Sequence, residues 1–204
     1  MYKKPVIVFE GIEGSGKTSH INYISRDLKK RKLKFIKLRE PGGSFNSEKI
    51  RKLLLNKKNR FDKLTDLFLY LSARNENIKN LLTKNYKKKI ILIDRFSDST
   101  LAYQYYGMGI DYRLIQQINK IIVKNFKVDF TFYNIVNSSN LKKRLRKRQS
   151  LNRYDMFKFS FYNKVQKGFL ILAKKNKKSL IVDSNRPMEK NKHVILNKVK
   201  KLLN

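Results

Sequence analysis

The sequence predicts a three-layer α/β fold, a five-stranded parallel sheet with helices on both faces, and three observations predict it. Short β-branched runs alternate with segments of helical period along the 204 residues. The strongest run, IILID (90–94), is continuously apolar and bounded by charges, as a strand covered on both faces should be. Nearly every cluster of chemically capable residues follows the end of a predicted strand, the side on which open α/β sheets hold ligands.

The elements follow in order. VIVF (Val6–Phe9) is a buried strand that ends at a glycine-rich turn. From Thr18 the period becomes helical, with Ile21, Ile24 and Leu28 on one face. KFIKL (34–38) is the second strand, stopped by Pro41-Gly42-Gly43, and a helix around Ser47 to Leu55 follows. Asp62 to Leu82 reads as the longest helix, its apolar stripe made by Leu64, Leu67, Phe68, Leu71, Ile78 and Leu82. After IILID comes a helix marked by Leu114, Ile115, Ile118, Ile121 and Ile122. FTFYNIV (130–136) is the fourth strand, and a basic helix starts near Ser138. A helix around Phe157 to Lys175, the strand SLIVD (179–183) and a terminal helix complete the chain. No repeat or linker divides it, so residues 1–204 are expected to form one domain, with a short basic lid at about 142–156.

Composition narrows the function. Hydrophobic residues make up 41%, enough for a core. Without cysteine there is no disulfide, thiol nucleophile or Cys-ligated zinc, and His20 and His193 lie too far apart in sequence to suggest a metal site. The N-terminal apolar run is four residues, short of a signal peptide or of the roughly twenty residues of a membrane span, so a cytoplasmic protein without membrane attachment is expected. The net charge is +34, from 49 Lys+Arg and 15 Asp+Glu. Because the lysines are spread from Lys3 to Lys201, the charge is read as a compositional habit that attracts anionic substrates, without a specific nucleic-acid partner. A nucleic-acid-binding protein is the rival reading, to be recognised by a steep salt dependence.

Gly11-Ile12-Glu13-Gly14-Ser15-Gly16-Lys17-Thr18 satisfies G-x-x-x-x-G-K-[ST] between a predicted strand and a predicted helix. Its glycines turn backbone N–H groups towards phosphates, and the helix behind adds its dipole. Lys17 is expected on the β/γ-phosphates and Thr18 on Mg²⁺. Asp94, ending IILID, is the second candidate for the metal. The fold class is therefore of the P-loop NTPase type. The GTPase base-recognition motif N-K-x-D is missing from the strand ends. Arginines stand there instead: Arg39 ends the second strand and Arg95 follows Asp94. Tyr70 and Arg74, at i and i+4, put a ring and a guanidinium on one helix face, off the apolar stripe.

Three stretches resemble bacterial thymidylate kinases: F-E-G-I-E-G-S-G-K-T, R-E-P-G-G (Arg39–Gly43) and D-R-F-S-D-S-T-L-A-Y-Q (Asp94–Gln104). The resemblance extends through Ala73-Arg74, the strand VDFTFY and a lid ending N-R-Y-D, from Val6 to about Asp183. It implies transfer of the γ-phosphate of ATP to dTMP, giving dTDP on the way to dTTP, with Mg²⁺, in a homodimer. By resemblance Gly11 to Thr18 hold ATP, and Arg95 grips the acceptor phosphate. Arg74 lies near the thymine edge, Ser99, Thr100 and Gln104 line the base, Tyr103 crowds a 2′-hydroxyl, and Pro41 and Arg51 surround the nucleoside with Tyr70. Glu13 resembles the family's loop acid, directed at the sugar 3′-hydroxyl and at Arg95.

Where some members carry an arginine inside the loop, this chain has Gly14, so the lid must supply that charge. Arg153 of N-R-Y-D is the first candidate and Arg148, also assigned to ATP, the second. Arg144 is the third candidate, ranked last because it lies in the basic stretch K-K-R-L-R-K-R, a face that also reads as merely solvated. The chain departs from the family pattern at Tyr70, where Phe is usual, at Tyr105-Tyr106, where glycines are usual, and at Asn134, often Asp. A nucleoside kinase is the neighbouring alternative, with Glu13 or Glu40 as base. The apolar stripes of 62–82 and 112–123 are the candidate dimer surface.

Overall fold

The structure, a computed structural model, describes residues 2–147 and 152–204. Arg148 lies outside the described residues. One sheet of order β2-β3-β1-β4-β5 runs through the molecule, and every neighbouring pair is parallel. In chain order the elements are β1 (Val6–Glu10), α1 (Lys17–Lys30), β2 (Phe35–Arg39), α2 (Phe45–Leu55) and α3 (Lys63–Asn77). A π-helical turn, Ile78–Leu82, carries α3 into α4 (Thr83–Asn85), and β3 (Ile90–Asp94) follows. α5 (Ser97–Thr100) continues as a π segment, Leu101–Gly107, ahead of α6 (Tyr112–Val123) and β4 (Phe130–Ile135). α7 (Ser138–Arg146), a 3-10 turn (Arg153–Met156), α8 (Phe159–Lys175), β5 (Ser179–Asp183) and α9 (Met188–Leu203) complete it. Among the described residues no helix is long and apolar enough to cross a membrane.

Alternation along β1 divides the core. Ile7 and Phe9 face Ile21, Ile24 and Leu28 of α1 and Ile195 and Val199 of α9. Val6 and Val8 face the other layer, with Ile78, Leu82 and Phe96. All of these side chains are at most 5% exposed, which is why the strands read as unbroken apolar runs. β1 leads towards β2 on one side while β3 leads across β1 to β4, so these adjacent strands send their loops to opposite sides. The crevice between their carboxyl ends is the topological switch point.

Two expectations are corrected. The segment 62–82 is not one α-helix: Asp62 is its N-cap, accepting from the Leu64 amide, and the helix widens into the π turn at Ile78. Leu64 and Phe68 of its stripe are exposed, at 41% and 50%, because the packed face runs through Leu67 and Leu71. Of the stripe on α6 Ile115 is buried, whereas Ile121 is 66% exposed. The helix at 97–107 had no sequence expectation, since its polar residues Ser97, Asp98, Ser99, Thr100 and Gln104 hide the helical period.

Candidate active site

The loop after β1 is shaped by contact as well as by its glycines. A Cβ on Gly11, at φ +139°, would lie 2.3 Å from the Asn134 carbonyl oxygen, so the chain can pass over the end of β4 only as glycine. Ile12 and Ser15 form the buried underside of the loop. Lys17 Nζ donates to the carbonyls of Gly11 and Ile12, both at 2.9 Å, and lies 3.4 Å from Ser15 Oγ. Burial first, and then the charge of Arg95, push the Lys17 ammonium down to about 8. It is a cation held by its own loop, favoured by any phosphate that displaces those carbonyls.

Thr18 Oγ1 donates to Asp94 Oδ2 at 2.8 Å, which brings together the two residues assigned to the metal. Both offer hard oxygen donors at the rim of a cleft. That fits Mg²⁺, which takes one or two protein oxygens and completes its shell with water and phosphate. Among the described residues no cluster of three or more His, Cys, Asp or Glu is arranged for a metal. His20, behind the loop and 1% exposed, has no hydrogen-bond partner at either ring nitrogen, and burial pushes its pKa down to about 4. It is a neutral buried imidazole.

Arg95 begins the acceptor half. Its backbone, at φ +70°, is in the left-handed region, a strain of roughly 1–2 kcal/mol for a residue with a Cβ. The amide is held by the Phe9 carbonyl at 3.0 Å. That geometry turns the side chain back over the loop. Nη1 donates to the Gly11 carbonyl at 2.7 Å and Nη2 to Glu13 Oε1 at 2.8 Å, and the guanidinium lies over the Tyr103 ring. The Tyr103 hydroxyl donates to Glu13 Oε2 at 2.5 Å. Glu13 therefore points away from the phosphate side and fastens Arg95 and Tyr103. Burial alone would raise its carboxyl, but Arg95 and Lys17 outweigh burial and hold it below the usual range.

Two buried acids build the walls: Glu10, which has no expected role in the sequence, and Glu40, a candidate base only in the nucleoside kinase alternative. Glu10, at 0% exposure, accepts from the amides of Phe96 (2.9 Å) and Ser99 (3.2 Å) and from Ser99 Oγ (2.5 Å), so it caps α5 from inside the sheet. Burial, then the nearby Asp98, push it up to about 8. Glu40 accepts from Arg74 Nε at 2.8 Å. Arg74 Nη1 donates to Thr100 Oγ1 (2.8 Å) and Asn119 Oδ1 (2.9 Å). Arg74 is 2% exposed, a fixed wall of the site and not part of an ordinary surface pair with Tyr70. The signal for Glu10 was its place at the last residue of an apolar strand, where a carboxylate needs a partner.

These groups line one cleft of about 910 Å³. Gly14, Gly16, Lys17 and Thr18 form one end, and Pro41, Arg51, Tyr70, Ser99, Thr100 and Gln104 the other, with Glu13, Asp94 and Arg95 between them. Arg51 Nη1 donates to the Pro41 carbonyl, and Arg39, at the rim, is 3.5 Å from Glu48. Gln104 is among the lining residues, and its buried Nε2 has no hydrogen-bond partner.

The lid differs from expectation. Arg153 does not line the cleft. It pairs with the buried carboxylate of Asp66, donates from Nε to the Leu54 carbonyl at 3.0 Å and rests against the Phe61 and Tyr154 rings. Asp66 is 1% exposed, and a carboxylate so buried demands a cation. Arg144, ranked last of the three candidates, reaches the phosphate loop. Its Nη1 donates to the Gly14 carbonyl at 2.9 Å and its Nη2 to the Ser184 carbonyl at 2.6 Å.

The chain matches the family model described as thymidylate kinase over residues 9–195. It is 35% identical over 188 residues to a thymidylate kinase of Mycoplasma capricolum subsp. capricolum, covering 90% of this chain and 88% of that one. It is 38% identical to one of Wolbachia pipientis wMel, covering 82% and 84%. A crystal structure of thymidylate kinase from Ehrlichia chaffeensis superposes with a TM-score of 0.76 at 30% identity, covering 98% of both chains.

Proposed function

We infer how this site works from one premise: the chain belongs to the thymidylate kinase family and phosphorylates dTMP to dTDP with ATP, in the supply of dTTP. The observation that carries the assignment of roles is the bond from Arg95 to the Gly11 carbonyl. The cation that grips the acceptor phosphate is built onto the loop that grips the donor, so an acceptor held by Arg95 lies beside the donor's terminal phosphate.

In this reading the amides of residues 11–18 and the Lys17 ammonium bind the ATP phosphates. Thr18 and Asp94 hold Mg²⁺, which neutralises phosphate charge when bound. Arg95 takes two oxygens of the dTMP phosphate with its planar fork, and Arg51 adds charge. Gln104 presents its free amide to the base beside the fixed Arg74, Ser99 and Thr100, and Tyr70 supplies an aromatic wall. Tyr103, locked to Glu13, stands where a ribose 2′-hydroxyl would fall. Arg144 takes the place of the arginine missing at Gly14. No general base is required, because a phosphate monoester with a second pKa near 6 is already ionised at neutral pH. Catalysis is then positioning and charge stabilisation. We place the reaction in the cytoplasm, where its nucleotides are used, and treat residues 1–204 as one catalytic domain. Assay of the protein with ATP, Mg²⁺ and a panel of nucleoside monophosphates plus thymidine should show dTMP as the preferred acceptor. Preference for AMP, CMP, GMP or thymidine would overturn the assignment of the acceptor pocket.

The homodimer is supported by an apolar face. Phe68 on α3 is exposed, and α2, α3 and α6 also carry the exposed apolar side chains Phe45 (78% exposed), Leu53, Leu64 and Ile121. A groove there, lined by Phe68, Leu71, Ile118 and Ile122, is flanked by Lys49 and Glu76. A second copy related by a two-fold axis would bury both faces and match Lys49 to Glu76 charge. Sedimentation should give a dimer at micromolar concentration and a monomer for Phe68→Asp; a monomeric parent protein would remove the proposal.

A further inference from the structure

The lysines that look scattered in sequence are gathered by the fold onto one edge. In a parallel sheet every strand is entered from the same side, opposite the site. The windows that lead into the five strands are 2–5, 29–34, 84–89, 124–129 and 174–178, and each holds at least two lysines or arginines. Main-chain bonds show that they share the edge. The Ile90 amide donates to Lys34 O, the Thr131 amide to Lys178 O, and the Lys127 amide to the Tyr86 hydroxyl. Lys3 N donates to Leu203 O, which brings Lys200 and Lys201 at the end of α9 to the same place. The one side-chain carboxylate in these windows, Asp129, is taken by the Val6 amide at 2.8 Å.

Helix ends explain part of this, because cations there complement the helix dipole. They do not explain Lys34, Lys88, Lys127, Lys177 and Lys178, which are exposed at the strand entries, and none of which has a salt-bridge partner among the described residues. Nor do they explain Lys32, Lys87 and Lys124. These three sit in turns at φ +56°, +59° and +46°, where glycine would cost the backbone least. The edge keeps charge even where conformation argues against it. It is also without exposed large apolar side chains: Phe45, Phe68, Ile121 and the rest lie outside the five windows. An electrostatic membrane anchor generally adds apolar residues to its basic ones. Lysine point charges spread over the four strand spacings, each about 4.8 Å, suit a row of backbone phosphates and offer no fork for reading bases.

We propose that this edge is a docking surface for nucleic acid, engaged through its phosphate backbone without regard to sequence. The site at the opposite ends of the strands stays free, so docking and dTMP phosphorylation are compatible.

The test compares two variants by fluorescence anisotropy on a mixed-sequence duplex from 50 to 200 mM salt. The edge variant carries Lys34→Gln, Lys88→Gln, Lys127→Gln, Lys177→Gln and Lys178→Gln. The control removes the same charge elsewhere, with Lys52→Gln, Lys57→Gln, Lys58→Gln, Lys63→Gln and Lys79→Gln. The edge variant should bind about 100-fold more weakly at 100 mM salt, and its log–log salt slope should shrink by about 0.9 per lost contact. The control should stay within a few-fold of the parent, and both should keep the parent's kcat on dTMP, which also shows that they fold. Equal losses in the two variants would mean net charge alone, and the proposal would fall. It would fall too if the parent bound phosphatidylserine vesicles through this edge and showed no binding to the duplex at 50 mM salt.

Discussion

Replacing Arg95 by alanine is expected to lower kcat/KM for dTMP by about 10³-fold, at the upper end of what one preorganised donor to a reacting phosphate contributes. Two losses combine. The acceptor phosphate loses its fork, and Glu13 loses the cation that neutralises it. Glu13 is then a buried carboxylate beside the acceptor end of the loop that keeps the Tyr103 hydroxyl and the charge of Lys17 but has lost its ion-pair partner. Arg95→Lys separates the two losses, because a lysine keeps the charge for Glu13 but cannot hold two oxygens in one plane. Its kcat/KM should fall between parent and alanine variant. Glu13→Gln in the alanine background should recover part of the loss, as the repulsion is removed while the fork stays absent. Steady-state kinetics with dTMP varied at saturating ATP decides it. An alanine variant within tenfold of the parent would mean that Arg95 only shapes the loop.

The sheet was legible because β1 and β3 are buried on both faces and their middles, Ile7 to Phe9 and Ile91 to Ile93, are wholly apolar. Helices were harder where polarity serves the site. Ser99, Thr100 and Gln104 are buried because they line the cleft or meet Glu10 and Arg74, and a pattern reader counts them as surface. The same ambiguity affected charge. The surface pattern of Tyr70 and Arg74 hid a fixed guanidinium, whose partner Glu40 is 34 residues away in sequence. Glu13 was recognisable as an odd acid in a phosphate loop, but its partners come from the turn after β3 and the segment after α5. Lysines at the five strand entries form a patch only after the sheet has assembled. Pairings across the chain decide all of these, and no local period records them.

The lid gives the second large expectation, a separation of two arginines that local sequence ranks in the opposite order. Arg144→Ala should lower kcat by about 10³-fold, in line with arginines that stabilise charge on a transferring phosphoryl group. Its affinity for dTMP should change little, because Arg144 touches the Gly14 carbonyl at the donor end and nothing in the acceptor pocket. Arg153→Ala should act chiefly on folding. It leaves Asp66, 1% exposed, without its cation, and breaking a buried pair from one side costs about 3–5 kcal/mol. Asp66→Asn added to Arg153→Ala should restore much of that stability, since the stranded charge is gone while Tyr154 can still bond the amide. Denaturant melts and single-turnover phosphoryl transfer, measured where each variant is folded, distinguish the roles. If Arg153→Ala kept the parent's stability and lost 10³-fold in the transfer step, Arg153 would move to the phosphate on closure, and its bond to Asp66 would be the resting position of a mobile lid cation. The bonds of Arg153 and Tyr154 to α2 and α3 argue against that. Arg153 is fixed at once by Leu54, Asp66 and the Tyr154 hydroxyl, and releasing it would strand a buried acid at each turnover.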